Sequence, residues 1–316
     1  MQEDFIFRRI NIHTDLNQIT DLIELCFGQQ LDPDGKRYLQ YLRNISNEPE
    51  KLDSSVFFTF QNTPLLDGYV CEEKGKIIGN VTLSSYTSEN KKICFISNVA
   101  VSPAARNMGI ATRLMKIALD HSKNQKYQSV WLQVRRENLV ANHIYSGMGF
   151  TSRACRTTWI IEDVDQHLKT NSSIEITARR ASDWNKQKNW LLILYPAELH
   201  WQLEMKIQEF RPLIWQSISN SLNGKQYVHF ALHMDGRLLG VISRQSASHF
   251  ADYLWLATSS ENEELIIRDG LKKILMQMKL TKPLMINFPA VRGERAFRQA
   301  GFKELNTLIW MENDLS

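Results

Sequence analysis

Ile96-Ser97-Asn98-Val99-Ala100-Val101-Ser102-Pro103-Ala104-Ala105-Arg106-Asn107-Met108-Gly109-Ile110-Ala111-Thr112-Arg113-Leu114 reads as an apolar strand that runs into a turn at Pro103. The turn opens a helix with Leu114, Ile117 and Ala118 on its inner face. The first amides of such a helix have no partner within it and point outward together, so they offer an anion site strengthened by the helix dipole. Gly109 and Ala111 stand where a bulkier residue would hold a phosphate off the backbone, and Arg106 adds a positive charge. Taken alone, the segment reads equally well as an ordinary strand, loop and helix with a small residue at the helix start.

Outward from this segment the first half of the chain alternates helices and strands. Residues 5–12 have the pattern of a strand, 16–27 carry Leu16, Ile19, Leu22, Ile23 and Cys26 at helical spacing, and 36–45 continue as a second helix. Segments 67–73, 76–87 and 92–101 alternate as an antiparallel meander. Beyond the quoted stretch, 109–123 is an amphipathic helix, 128–135 a buried strand, 138–147 a helix and 151–161 a last strand. The expected fold class is α+β, a mixed and mostly antiparallel sheet flanked by helices.

The second half repeats landmarks of the first in the same order. Phe7-Arg8-Arg9 before Asp15 returns as Ala178-Arg179-Arg180 before Asp183. Gly75-Lys76-Ile77-Ile78-Gly79 returns as Gly236-Arg237-Leu238-Leu239-Gly240, and Gly149-Phe150 as Gly301-Phe302, each of the latter ahead of a strand with a tryptophan, Trp159 or Trp310. The offsets fall from 171 to 161 to 152, as expected of two copies of one fold when the second has shorter loops. A chain of 316 residues has room for both. Two domains in tandem are expected, 1–165 and 173–316, joined by a polar linker near 163–173.

Composition excludes several classes. With 43% hydrophobic and 23% charged residues, 14 Gly and 8 Pro, the chain is globular rather than disordered or collagenous. Lys plus Arg 38 against Asp plus Glu 34 leaves +4, a thin surplus whose densest basic pairs are Arg135-Arg136 and Lys272-Lys273. Nucleic-acid binders concentrate charge on one face, so no nucleic-acid partner is expected. Cys26, Cys71, Cys94 and Cys155 form no Cys-x-x-Cys pair, which argues against disulfides and zinc and for buried reduced thiols. Met1-Gln2-Glu3-Asp4 is not a basic leader and no run approaches the roughly 18 apolar residues of a membrane span, so a cytoplasmic location and no membrane partner are expected. Asn44, Asn80 and Asn171 begin Asn-x-Ser/Thr triplets that arise readily by chance.

A second motif follows the apolar strand Val130-Trp131-Leu132-Gln133-Val134, namely Glu137-Asn138-Leu139-Val140-Ala141-Asn142-His143-Ile144-Tyr145-Ser146-Gly147-Met148-Gly149-Phe150. Together the two motifs resemble the Gcn5-related N-acetyltransferase (GNAT) superfamily. Its Arg/Gln-x-x-Gly-x-Gly/Ala signature stands here as Arg106, Gly109 and Ala111, and its second pattern as Asn138, Ala141, Tyr145, Gly149 and Phe150. By element order the resemblance covers residues 5–161. It implies acetyl-CoA as acyl donor, with the pyrophosphate held beside Arg106 on the amides from Asn107 through Met108, Gly109, Ile110 and Ala111 to Thr112. It further implies pantetheine along Val99, Ala100 and Val101, contacts from Asn138 and Asn142, and Tyr145 as general acid to the leaving thiolate. Many relatives carry a basic carboxylate on the strand ahead of the cradle, but Ile93-Cys94-Phe95-Ile96-Ser97-Asn98 has none. Glu72, Glu73, or a water relay through Ser97, Asn98 or Tyr86, stay open as the base.

The second copy departs from this pattern. Aligning Leu114 with Leu271 puts Glu263 where Arg106 stands, Ile266 for Gly109 and Arg268 for Ala111. Counting from Gly301-Phe302, Phe297 replaces the tyrosine and Ala290 the first asparagine. The second copy therefore resembles a degenerate GNAT domain, structural or acceptor-binding in role. His229 and His233 share a strand face, but without a third ligand they read as core or surface residues, and no metal is expected.

The resemblance implies an acetyl-CoA-dependent N-acetyltransferase in which an amine attacks the thioester directly, the acceptor being a small-molecule amine or a peptide amine. Two other readings stay open: a non-catalytic acyl-CoA-binding sensor or interaction module, and a protein N-terminal acetyltransferase of the ribosomal-protein type, suggested by Asn98-Val99-Ala100-Val101. The acceptor region would be 27–37, where Asp32 and Asp34 could attract a cation. A monomer or homodimer is expected.

Overall fold

The computed structural model describes residues 5–31, 33–47, 67–88, 90–164, 170–203, 205–246 and 250–315. The chain divides into two compact units, 1–154 with 309–316, and 155–308.

The first unit begins with β1 (Ile6–Arg9), α1 (Leu16–Phe27) and α2 (Pro33–Asn47). The meander β2 (Asp67–Glu73), β3 (Lys76–Ser88) and β4 (Lys91–Val101) follows, then α3 (Ile110–Asn124), β5 (Ser129–Arg135) and α4 (Leu139–Gly147). β1, β2, β3 and β4 pair antiparallel in that order, and β5 joins β4 in parallel. Successive strand residues serve opposite faces, as the pleat requires. Val70 and Ile77 pack with Leu16, Ile19, Ile23, Leu39 and Leu42 of α1 and α2, while Cys71 and Ile78 join Ile110, Leu114, Met115 and Ala118 of α3. Gly79 sits where α3 crosses β3: a Cβ there would lie 2.8 Å from Ile110 and 3.1 Å from Leu114.

The second unit repeats the pattern. β7 (Glu175–Ala178), α5 (Trp184–Leu194), α6 (His200–Leu203) and α7 (Ile214–Leu222) precede the meander β8 (Gln226–Met234), β9 (Arg237–Ser246) and β10 (Asp252–Thr258). Then come α8 (Glu263–Leu265), a π-helical turn at Ile266–Gly270, α9 (Leu271–Met276), β11 (Leu284–Pro289) and α10 (Glu294–Gln299). The pairings match those of the first unit: antiparallel β7, β8, β9 and β10, then parallel β11. Even an irregularity is copied. The β2–β3 register slips between Cys71 and Glu72, and the β8–β9 register between Leu232 and His233, 161 residues on.

The units exchange their last strands. β6 (Thr151–Ile161) follows α4, yet from Cys155 onward it belongs to the second unit, where residues 156–161 pair antiparallel with β11. The end of β12 (Lys303–Asp314) belongs to the first unit from Ile309 on. There Met311 is buried in the α3 core, Leu315 N–H donates to Gln128 O at 2.9 Å, and Trp131 Nε1 donates to Glu312 Oε1 at 3.1 Å. Contacts thus divide the chain at 154/155 and again at 308/309, not at a single linker near 165. Of the expected linker, residues 165–169 lie outside the described residues. Among the described residues no helix is long and apolar enough to cross a membrane.

Candidate functional site

The segment between β4 and α3 folds as a tight loop. Ser102 N–H donates to Ile78 O at 2.8 Å, Arg106 is extended, and Asn107 and Gly109 take left-handed φ values of 65° and 76°. Among the described residues no side chain caps the start of α3, and its first turn closes with Arg113 N–H on Gly109 O at 3.0 Å. The amides of Ile110, Ala111 and Thr112 therefore precede the ladder. Among the described residues a Cβ on Gly109 would meet nothing within 4 Å, so the left-handed backbone, not crowding, accounts for glycine there. Residues Arg106 to Gly109 are exposed while Ile110 is buried beneath them, which anchors the helix start and leaves its amides facing out. Cys26, from α1, donates to Val101 O at 3.3 Å; burial pushes its thiol pKa up, and the Arg106 charge beside it acts the other way.

β4 and β5 pair only from Ile93–Ser129 to Ile96–Leu132, although β4 runs on to Val101 and β5 to Arg135. The two strands part after Ile96, and Val99, Ala100 and Val101 lie along the opening. On the other side of β4 the register slips: Asn80 faces Ala100 and Thr82 faces Ser97, so Val81 opposes both Asn98 and Val99. Asn98, at φ 49°, is the bulged residue. Asn80 Nδ2 donates to Asn98 O at 2.9 Å and to Thr82 Oγ1 at 3.2 Å. Tyr38, from α2, bonds to the Asn98 side chain, and burial pushes its phenol pKa up to about 12. Sequence reading did not single out Tyr38, Asn80 or Thr82 for this site. The one available signal was that Asn80 and Thr82, two apart on a strand, must share a face.

Tyr145 lies in α4, 8% exposed, its ring 6.1 Å from that of Phe150, and burial raises its pKa to about 12. The two asparagines of the motif serve the helix itself. Asn138 Oδ1 caps α4 by accepting from Ala141 N–H at 3.1 Å. Asn142 Nδ2 donates to Asn138 O at 2.9 Å and Arg135 O at 3.2 Å. They brace the β5–α4 turn, with Asn138 exposed and Asn142 half-buried.

Of the proposed bases, Glu72 is held in an ion cluster at 2.7 Å from Arg8, which also grips Asp15 at 2.6 Å. Glu73 stands opposite Lys76 in the strand register of the hairpin. Tyr86 sets its ring edge against Phe95 at 6.2 Å. Asp32 and the Asp34 side chain lie outside the described residues.

In the second unit the corresponding opening is filled from within. β10 and β11 pair only at Asp252–Leu284 and Tyr253–Met285. Beyond this, the fully buried Tyr195 accepts Leu256 N–H at 3.3 Å on its hydroxyl. The Arg156 guanidinium lies 5.1 Å from the Tyr195 ring and donates to Leu194 O at 3.0 Å and Asn287 O at 3.3 Å. Burial lowers its pKa to about 10. At the start of α8 the carboxylate of Glu263 pairs with Arg292, and Phe297 stacks on Trp159 at 4.9 Å. His229 bonds to Ser243 Oγ at 2.8 Å and His233 lies 3.5 Å from Thr177 Oγ1, each with a hydroxyl partner.

Known proteins carry the same pattern. Residues 20–150 match the family model described as acetyltransferase (GNAT) family. An uncharacterized N-acetyltransferase of Methanocaldococcus jannaschii is 32% identical over 98 residues, 30% of this chain and 43% of that protein. A [ribosomal protein bS18]-alanine N-acetyltransferase of Haemophilus ducreyi is 29% identical over 62 residues, 20% of this chain and 43% of that protein. The chain thus spans less than half the length of these curated relatives. A tandem GNAT protein from the clavulanic acid biosynthesis pathway superposes with a TM-score of 0.51 at 13% identity, covering 99% of both chains, a likeness of fold. Residues 20–150 thus belong to the GNAT acetyltransferase family, and the chain as a whole has the fold of a tandem GNAT protein.

Proposed function

We propose that the first unit transfers an acetyl group from acetyl-CoA to an amine by direct attack on the thioester. The observation that carries this reading is the parting of β4 from β5 after Ile96–Leu132, which leads straight to the uncapped start of α3. An extended amide chain can add to the free edge at Val99, Ala100 and Val101 as a strand would. Its anionic end then meets the Ile110, Ala111 and Thr112 amides and Arg106. These residues fit acetyl-CoA, whose thioester supplies the activated acyl group.

The amine nitrogen bonds to the thioester carbon, the carbonyl pair moves to oxygen, and collapse breaks the carbon–sulfur bond. A phenol at about 12 is protonated throughout the neutral range. Burial disfavours the phenolate, and with it full proton transfer from Tyr145 to the thiolate. The role assigned to Tyr145 is therefore to donate a hydrogen bond to the sulfur as charge develops. The attacking nitrogen, acidic once acylated, supplies the proton that the thiol finally carries.

Thiol release from acetyl-CoA across a panel of small amines and peptide N-termini tests this reading. Amine-dependent release that is lost in Tyr145→Phe is expected. Tight binding of acetyl-CoA with no turnover on any acceptor would favour the sensor instead. The likeness to an enzyme named for acetylating an alanine of ribosomal protein bS18 supports including peptide α-amines in the panel. In the second unit, Tyr195, Arg156 and the Glu263–Arg292 pair occupy the equivalent places, so that copy is assigned a supporting role without acetyl-CoA.

A further inference from the structure

We propose that Asn80 is a positioning residue for acetyl transfer: it holds the β4 bulge so that the Val99 amide faces the acyl group. The inference rests on the acetyl-CoA reading of the β4–β5 opening. Asn80 is fully buried, and its Nδ2 grips the main-chain carbonyl of Asn98 at 2.9 Å. A trans peptide carries its C=O and the following N–H on opposite edges. Fixing the Asn98 carbonyl on β3 therefore turns the Val99 N–H the other way, toward the side that β5 has left. That amide is placed to donate to the thioester carbonyl oxygen.

The duplicated fold supplies an internal control. With the Gly75 and Gly236 turns aligned, Asn80 corresponds to Val241 and Thr82 to Ser243. Val241 has no amide to offer, and in the second unit the β9–β10 register runs without a slip from Tyr253–Gln245 to Thr258–Gly240. One residue, Leu256, stands there in place of the pair Asn98 and Val99, and its N–H is taken by the Tyr195 hydroxyl. The slip at Cys71–Glu72 has a counterpart at Leu232–His233, whereas the slip opposite Asn98 has none between β9 and β10. Among the described residues the Asn80 Oδ1 is buried with no hydrogen-bond partner, so the amide is engaged through its Nδ2.

Calorimetric titration of the whole chain with acetyl-CoA, and separately with CoA, tests the assignment. Asn80→Ala is expected to weaken acetyl-CoA about three- to tenfold, the worth of one hydrogen bond, and to leave CoA within about twofold. Asn98→Val, whose β-branched side chain resists a φ of 49°, is expected to show the same selective loss. Thermal melting checks that each variant is folded, and Asn80→Ser, which keeps a small polar side chain, replaces Asn80→Ala if the latter does not fold. Any pattern in which acetyl-CoA is not selectively weakened overturns the assignment of Asn80. Failure of the unaltered chain to bind either compound would instead overturn the acetyl-CoA reading beneath it.

Discussion

Gly109 and Tyr145 are both motif residues, yet different physics acts on each. At Gly109 the demand is conformational, because a side chain has room but no easy way to hold φ 76°. Gly109→Val is expected to weaken acetyl-CoA binding at least about tenfold by displacing the α3 amides, and to lower stability by about 1 kcal/mol or more, read by titration and melting. Tyr145→Phe is expected to lower kcat by roughly 100-fold with little change in acetyl-CoA affinity. With its pKa raised to about 12, Tyr145 should add no break to the pH–rate profile below about pH 10. His229 governs a different pH range. Burial and the Arg179 charge depress its pKa to about 3 from an ordinary 6.5, so the unfolded chain takes up the proton first. Its contribution is complete above about pH 6.5 and is lost as pH falls toward 3, by up to about 1.4 kcal/mol per unit. His229→Gln should flatten that part of a stability-versus-pH curve measured by denaturant unfolding.

The elements themselves were legible because their periodicity is local. The helix at 16–27 and the strands at 67–73 and 151–161 stand where spacing put them, and the helix expected at 109–123 is found at Ile110–Asn124. The strand expected at 5–12 is shorter, Ile6–Arg9, since Asn11 begins a turn in which its own N–H and the Arg8 guanidinium both go to Asp15. What spacing does not reveal is register across strands. The bulge at Asn98 depends on which β3 residue stands opposite, and the capping roles of Asn138 and Asn142 depend on where α4 begins. The filled opening of the second unit is equally a matter of contacts, as Tyr195, Arg156 and Leu256 are far apart in sequence. Tyr195→Phe leaves the Leu256 N–H buried without a partner. It should cost about 1–3 kcal/mol of stability and leave acetyl-CoA affinity unchanged, which melting and titration would show.

At the scale of the whole molecule the exchange of last strands ties the folding of each unit to the other's sequence. A fragment ending at residue 165 lacks Ile309, Met311 and Leu315, which complete the α3 core. Met311 alone, 3% exposed, represents roughly 1.5–3 kcal/mol of burial. In a fragment of 1–165 the missing strand also leaves the Gln128 carbonyl without Leu315 and the Trp131 indole without Glu312. Such a fragment is expected to aggregate or to melt without a cooperative transition. Fusing residues 303–316 to its end through a flexible linker should restore a two-state melt. A 1–165 fragment as stable as the whole chain would contradict this account.

The amino-acid sequence by itself determined the kind of fold, its duplication and the tight turn into α3 around Gly109, because apolar period and turn glycines are written over short stretches. It also marked the second copy as altered, through Glu263, Ile266 and Phe297. Only the tertiary structure decided which strand closes which unit, how Asn80 holds the bulge, and what fills the second opening. Each of those rests on partners separated by 18 to more than 100 residues, such as Asn80 with Asn98 or Trp131 with Glu312. Pairings of that kind are set by competition among many packing arrangements, which no local pattern records.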